Sequence, residues 1–136
     1  MASKVRITKV LVGADPSNGA RVALDWAAGL AANCDAEVVL VHARGLLEAA
    51  QHAPDAELPG WLAELVDSLD AGLTVSLEVA DGPPPEALLR AAERTGADLI
   101  VVGRRGGGSP FELTLGSTSR EVSSRATVPV LVVPAG

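Results

Sequence analysis

Ala97–Thr118 reads ADLIVVGRRGGGSPFELTLGST, and the fold of the whole chain turns on it. Leu99–Val102 is an apolar run of the kind buried on both faces of a parallel sheet. Gly103 to Leu115 follows as a loop with four glycines, a proline and a serine. Gly116-Ser117-Thr118 then opens SREVSSRA, which predicts a helix with Ser or Thr near its N-cap. A strand, a glycine-rich loop and a helix start together make a phosphate site. Glycines let backbone N–H groups approach an anion, and a helix N-terminus adds unpaired donors and a positive dipole end.

The spacing excludes the commonest loops of this kind. No Gly-Lys-Ser/Thr is present, so it is not a Walker A loop. Gly106-x-Gly108 lacks the third glycine of a dinucleotide fingerprint. Two residues separate Gly103 from Gly106, and nine lead from Gly106 to Gly116, with Ser117 immediately after.

Working outward, the chain of 136 residues suits one domain with a real core. Hydrophobic residues make up 48%, which argues against disorder. With two Trp, one Phe and no Tyr, that core must be built from Val, Leu, Ile and Ala. Such a composition fits a parallel sheet covered by Ala-rich helices. The net charge of −6 is a poor match to nucleic acid, so any anion site must be made locally. The single cysteine, Cys34, leaves no intrachain disulfide and fits a reducing compartment. No apolar run approaches the ~18 residues of a membrane span. The opening MASKVRITKVLVG enters a strand pattern rather than a signal peptide, so a cytoplasmic location is expected.

From the start of the chain, Lys9–Gly13 predicts the first strand, with an earlier start at Val5 left open. A turn cluster from Ala14 to Gly19 follows. Asp15 stands just past a strand's carboxyl end, where ligands bind in open α/β sheets. An Asp there equally closes a turn or caps the next helix, and position alone does not choose. Ala20–Ala32 predicts a helix with Ala23, Trp26, Ala27 and Leu30 on its packed face, which makes Trp26 a packing residue. Glu37–Ala43 predicts the second strand, ending in His42, which reads as a hydrogen-bonded packing residue. His52 reads as solvated, and two histidines without further ligands at metal spacing make no zinc site.

Arg44–Gly60 is the least readable stretch, with a helical turn at Leu46–Ala50 its one suggestion. Trp61–Leu73 predicts the next helix, with Glu64, Asp67 and Asp70 on a solvated face. Thr74–Ala80 alternates as an edge strand, with Val75, Leu77 and Val79 on one face. Pro85–Thr95 predicts a third helix ended by Gly96. Asp98–Val102 is the fourth strand and Val130–Val133 the last.

Five strands alternating with four helices imply one α/β domain, residues 1–136, with a parallel sheet and helices on both faces. In a doubly wound sheet of order 3-2-1-4-5, strands one and four flank the switch point. Asp15 and the loop from Gly103 to Thr118 then face one crevice.

These motifs resemble the universal stress protein family, in particular its ATP-binding members with G-x2-G-x9-G-S/T. The likeness runs through Val10–Asp15, the strand ending at His42, Ala97–Gly103 with Gly106 and Gly116-Ser117, and Val128–Val133. It implies an ATP-binding, dimeric, stress-linked regulatory protein. Asp15 would contact the adenosine end and the backbone near Ala43 would read the adenine. Gly103, Gly106, Gly116, Ser117 and Thr118 would hold ribose and phosphates with Mg²⁺. Arg104 and Arg105 fit the task of offsetting an acidic protein near a triphosphate, and a solvent-facing role for either stays open. Val130, Leu131, Val132 and Val133 would pair across a two-fold axis, covering an edge that otherwise invites aggregation.

Two other readings compete: a nucleotide-free interaction protein on the same fold, and a slow ATPase or self-phosphorylating protein. For the last, the only carboxylate between Gly103 and Thr118 is Glu112, so no base is evident beside the phosphates. A phosphoacceptor receiver domain fits the alternation and Asp81, but lacks a second acid beside Asp15 and a late lysine.

Overall fold

A computed structural model describes residues 5–44, 59–104 and 116–134. Leu46–Ala50, His52, Arg105, Gly106 and Glu112 lie outside the described residues. Five strands form one all-parallel sheet: β1 (Lys9–Ala14), β2 (Glu37–Arg44), β3 (Val75–Asp81), β4 (Leu99–Gly103) and β5 (Val130–Val133), in the order β3-β2-β1-β4-β5. The expected strand order is therefore the observed one. Four helices are described: α1 (Asn18–Cys34), α2 (Gly60–Asp67), α3 (Pro84–Thr95) and α4 (Ser117–Arg125).

The central strands β1, β2 and β4 form because their residues are largely apolar and buried on both faces, while the edge strand β3 alternates with Ser76 and Glu78. Val10, Val12, Val38, Leu40 and Val101 point to one face, against Ala23, Leu24, Ala27 and Ala31 of α1 and Leu62 and Leu65 of α2. Leu11, Val39, Val41, Ile100 and Val102 point to the other, against Leu88, Ala91 and Ala92 of α3 and Val122 of α4. Each fully buried Leu or Ile stabilises the fold by about 1.5–3 kcal/mol relative to exposure. β1 sits centrally, with Leu11 aligned to Val39 on one side and to Ile100 on the other.

Three helix expectations need correction. Trp26 is 57% exposed, and Ala20, Ala23, Leu24, Ala27 and Ala31 form the buried stripe instead. The cause is the close approach of α1 to the sheet, which admits alanines where an indole would not fit. α2 stops at Asp67, six residues before the expected Leu73. Ser68 Oγ donates to Leu65 O at 2.6 Å, and Asp70 accepts from Gly72 N at 2.8 Å, so Asp70 closes a turn rather than lining a helix. Leu69 and Leu73 still pack on the core, which is why they mimic helical spacing. In α4 the N-cap is Gly116, not Ser or Thr, and no side chain caps the helix.

The strands run close to expectation. β1 begins at Lys9, and Val5–Thr8 adds no strand residue. β3 is an edge strand as expected, but Val79 is exposed while Val75 and Leu77 pack on the core. Gly96 ends α3 in the left-handed region at φ 71°, the conformation that favours glycine at a helix C-terminus.

Candidate functional site

The carboxyl ends of β1 and β4 lie side by side, where α1 and α4 leave the sheet toward opposite faces. Ala14 ends β1 and is buried, while Asp15 next to it is exposed. Asp15 Oδ1 accepts from Ser17 N at 2.7 Å, and Ser17 Oγ accepts from Ala20 N at 3.1 Å. Asp15 thus closes the turn that starts α1, with Ser17 as the helix cap. That bond fixes the carboxylate at the mouth of the crevice.

Gly103 ends β4 against the first turn of α1. A Cβ at Gly103 would stand 2.8 Å from Gly19 O and 2.9 Å from Gly19 C. Packing between two backbones therefore demands glycine here, independently of any ligand. The reason expected from the sequence, approach to a phosphate, is joined by a structural one.

Arg104 is the hinge between strand and loop. Its N–H donates to Val133 O at 2.7 Å, and its carbonyl accepts from Gly116 N at 2.8 Å. The second bond ties residue 104 to residue 116. Ser119 tightens the tie: its Oγ lies 2.9 Å from Arg104 O and 3.1 Å from Gly116 O, with its one proton shared between them. Ser119 is 2% exposed and was not anticipated from the sequence. A serine at a core position of a helix is the available signal, since such a hydroxyl needs an internal acceptor.

Two features of this hinge leave donors unmet. Arg104 Nε is buried without a hydrogen-bond partner among the described residues. The helix start at Gly116 has no side-chain cap, so Ser117 and Thr118 N–H groups carry the positive end of α4. Both are what an anionic ligand satisfies. Gly106 lies outside the described residues, so its expected part in the loop stays an expectation.

Around the β2 end the groups are already paired. Ala43 lies inside β2, aligned with Ala80 of β3. Arg44 Nε and Nη2 each lie 2.8 Å from Asp81 Oδ1. Gly82, at φ 114°, donates its N–H to Arg44 O at 2.8 Å. His42 is buried with its ring edge-on to Trp61, centroids 5.1 Å apart, and Nδ1 3.4 Å from Ala14 O. It packs, as the sequence suggests. No group of three His, Cys, Asp or Glu suited to a metal occurs among the described residues. No helix among the described residues is long and apolar enough to cross a membrane.

These features define a doubly wound α/β protein in which Asp15, Arg104 and the start of α4 lie around its topological switch point. Residues 6–134 match the model of the universal stress protein family, and the chain belongs to that family. Universal stress protein YxiE of Bacillus subtilis is 31% identical over 92% of this chain and 97% of its own length. A universal stress protein solved in complex with cAMP superposes with TM-score 0.75 at 28% identity, covering 97% of this chain and all of the other. The structure of MJ0577, a universal stress protein of Methanocaldococcus jannaschii, superposes with TM-score 0.77 at 27% identity, covering 97% and 99%.

Proposed function

We propose that this chain is an ATP-binding regulatory protein that holds the nucleotide in the crevice between β1 and β4. The observation that carries the reading is the hinge at Arg104. It pairs an unsatisfied buried guanidinium nitrogen with an uncapped helix start on the loop's other end. Gly103, Gly106, Gly116, Ser117 and Thr118 hold ribose and phosphates through backbone N–H and hydroxyl groups, with Arg104 offsetting their charge. Asp15 binds the adenosine end, and backbone near Ala43 reads the adenine. Mg²⁺ would accompany the nucleotide and offset the charge of its phosphates. The complex of a similar protein with cAMP supports an adenine nucleotide as the ligand class.

The protein acts as a cytoplasmic homodimer through Val130–Val133. Support comes from the position of β5 at the open edge of the sheet. Ile100 N bonds Pro129 O and Arg104 N bonds Val133 O. The alternation along a strand then turns the backbone groups of Val130 and Val132 away from β4, ready for a second strand.

Calorimetric titration with ATP and Mg²⁺, after acid release of any carried nucleotide, tests the ligand. Micromolar binding or co-purified ATP is expected. Neither binding nor carried nucleotide would replace this reading with the nucleotide-free interaction protein.

A further inference from the structure

Pairing of β5 alone is too small an interface. The strand has four residues, and at about 3.3 Å each its contact falls well short of the ~800 Å² per partner of a stable dimer. More surface must join it, and the two faces beside β5 differ. On the α4 side, Arg120, Glu121, Ser123, Ser124 and Arg125 are all exposed. On the α1 side, Gly19, Val22, Trp26 and Leu30 recur at intervals of three and four, so they share one stripe of the helix. The stripe begins where Gly19 meets Gly103 of β4. Val22 packs on the cluster that includes Val133 and Leu131 of β5. Leu24, Ala31 and the α2 residues Leu62 and Leu65 belong to that same cluster, so what orients the stripe is the contact of Gly19 with β4, the strand between β1 and β5. The Trp26 flank therefore faces the β5 side.

Two-fold symmetry then fixes what meets it. Antiparallel pairing of two β5 strands puts the axis perpendicular to the sheet, so each face continues into the same face of the partner. α1 packs over β1 and β4. With strands about 4.8 Å apart, its axis lies roughly 10 Å from the two-fold axis. The two α1 helices stand roughly 20 Å apart, against 8–10 Å for helices in direct contact. Only large side chains fill such a gap.

We infer that Trp26 is the anchor of the dimer, seated across the two-fold axis against Val22, Trp26 and Leu30 of a second copy of this chain. The inference rests on the β5 pairing proposed above. It explains why a chain with two tryptophans leaves one of them largely exposed on a helix. Trp is among the residues most enriched at the energetic centres of protein interfaces.

The test uses the full chain. In Trp61→Phe, Trp26 is the only tryptophan, and its quenching by acrylamide is followed through a dilution series alongside sedimentation. Quenching at least threefold weaker in the dimer than in the monomer is expected. Trp26→Glu, at an exposed site and with unchanged circular dichroism, is expected to weaken the dimer about thirtyfold or more. Val132→Pro removes an edge N–H while leaving the β4 ladder intact, and is expected to give a monomer. A dimer that Val132→Pro disrupts, but in which Trp26 stays fully quenchable and Trp26→Glu changes nothing, overturns the Trp26 anchor alone. A dimer that survives Val132→Pro, or a wild-type chain that is monomeric throughout, overturns the β5 pairing and the anchor with it.

Discussion

The amino and carboxyl ends of the sheet satisfy their hydrogen bonds in opposite ways. At the amino end Asp98 accepts from Thr8 N at 2.8 Å, Thr8 Oγ1 at 3.0 Å and Lys9 N at 3.0 Å. Lys9 Nζ in turn donates to Thr95 O at 2.7 Å and lies 3.1 Å from Glu37 Oε1. One carboxylate thus clamps the chain entering β1 to the turn entering β4. At the carboxyl end the backbone is as tightly held, through Gly19 against Gly103 and Gly116 N–H on Arg104 O, yet Arg104 Nε has no hydrogen-bond partner among the described residues. The contrast separates a stabilising end of the sheet from a candidate binding end. A closed clamp serves stability, whereas a buried donor without a partner among the described residues marks where a ligand is to be sought.

The largest expected effect comes from breaking that frame. Gly103→Val places a branched side chain on a Cβ already 2.8 Å from a backbone oxygen, where nothing can yield cheaply. We expect a loss of about 3 kcal/mol, read from the urea midpoint. Gly13→Ala is the control. Its Cβ would meet Leu88 Cδ2 at 3.2 Å, the free end of a side chain, and the cost should stay below about 1.5 kcal/mol. Equal costs would mean that α1 does not press on β4 as described.

Gly116→Val probes the ligand rather than the frame. Gly116 has φ −66° and ψ 166°, ordinary extended backbone that valine adopts. Thermal stability should stay near wild type, while an isopropyl group at the helix start crowds the phosphates. Loss of ATP affinity of about a hundredfold or more is expected by calorimetry. Unchanged affinity would remove the phosphate role from this helix start.

Asp98→Ala tests the closed end. Three bonds to one carboxylate vanish, and about 1–3 kcal/mol of stability should go with them. Nucleotide affinity should not change. The bond from Thr8 N–H, chief among the causes, holds the Asp98 carboxyl below its ordinary value of 3.8. A carboxyl lowered in the folded state contributes stability that is complete above its unfolded value and is lost as pH falls through the folded one. The gap between wild type and Asp98→Ala should therefore be widest near neutrality and shrink as pH drops below about 4. A gap independent of pH would mean that the clamp does not depend on charge.

The same contrast explains which parts of the molecule are legible from sequence. β5 is read to the residue, because Pro129 bounds an unbroken apolar run. Alternation of strands and helices makes the sheet parallel and covered on both faces, but it does not choose the strand order; 3-2-1-4-5 is one order that doubly wound sheets take, and it is the observed one. The side of α1 that faces the sheet is misread because apolar spacing alone cannot tell an alanine stripe pressed on strands from a tryptophan stripe beside it. What separates them is a tertiary distance, set by Gly19 against Gly103. The end of α2 is misread because Leu69 and Leu73 keep helical spacing after a serine hydroxyl and an Asx turn have ended the helix. In the site, glycines and Asp15 announce themselves, while Ser119 stays hidden as a polar residue in a core position.

Asp15→Ala gives a small expected change in stability and separates the two ends most directly. Asp15 is exposed and its carboxylate makes one backbone bond, to Ser17 N. Ser17 still caps α1 through Ala20 N, so the stability loss should be within about 1 kcal/mol. If Asp15 binds the adenosine end, ATP and AMP should both weaken, each by about tenfold for a hydrogen bond from a charged group. Loss of ATP with AMP spared would move Asp15 to the phosphates. Asp98→Ala and Asp15→Ala thus form a crossed pair. The first is expected to lower stability and leave affinity alone, the second to lower affinity and nearly spare stability. If both variants lost stability and affinity together, the division between a clamped end and a binding end of the sheet would not hold.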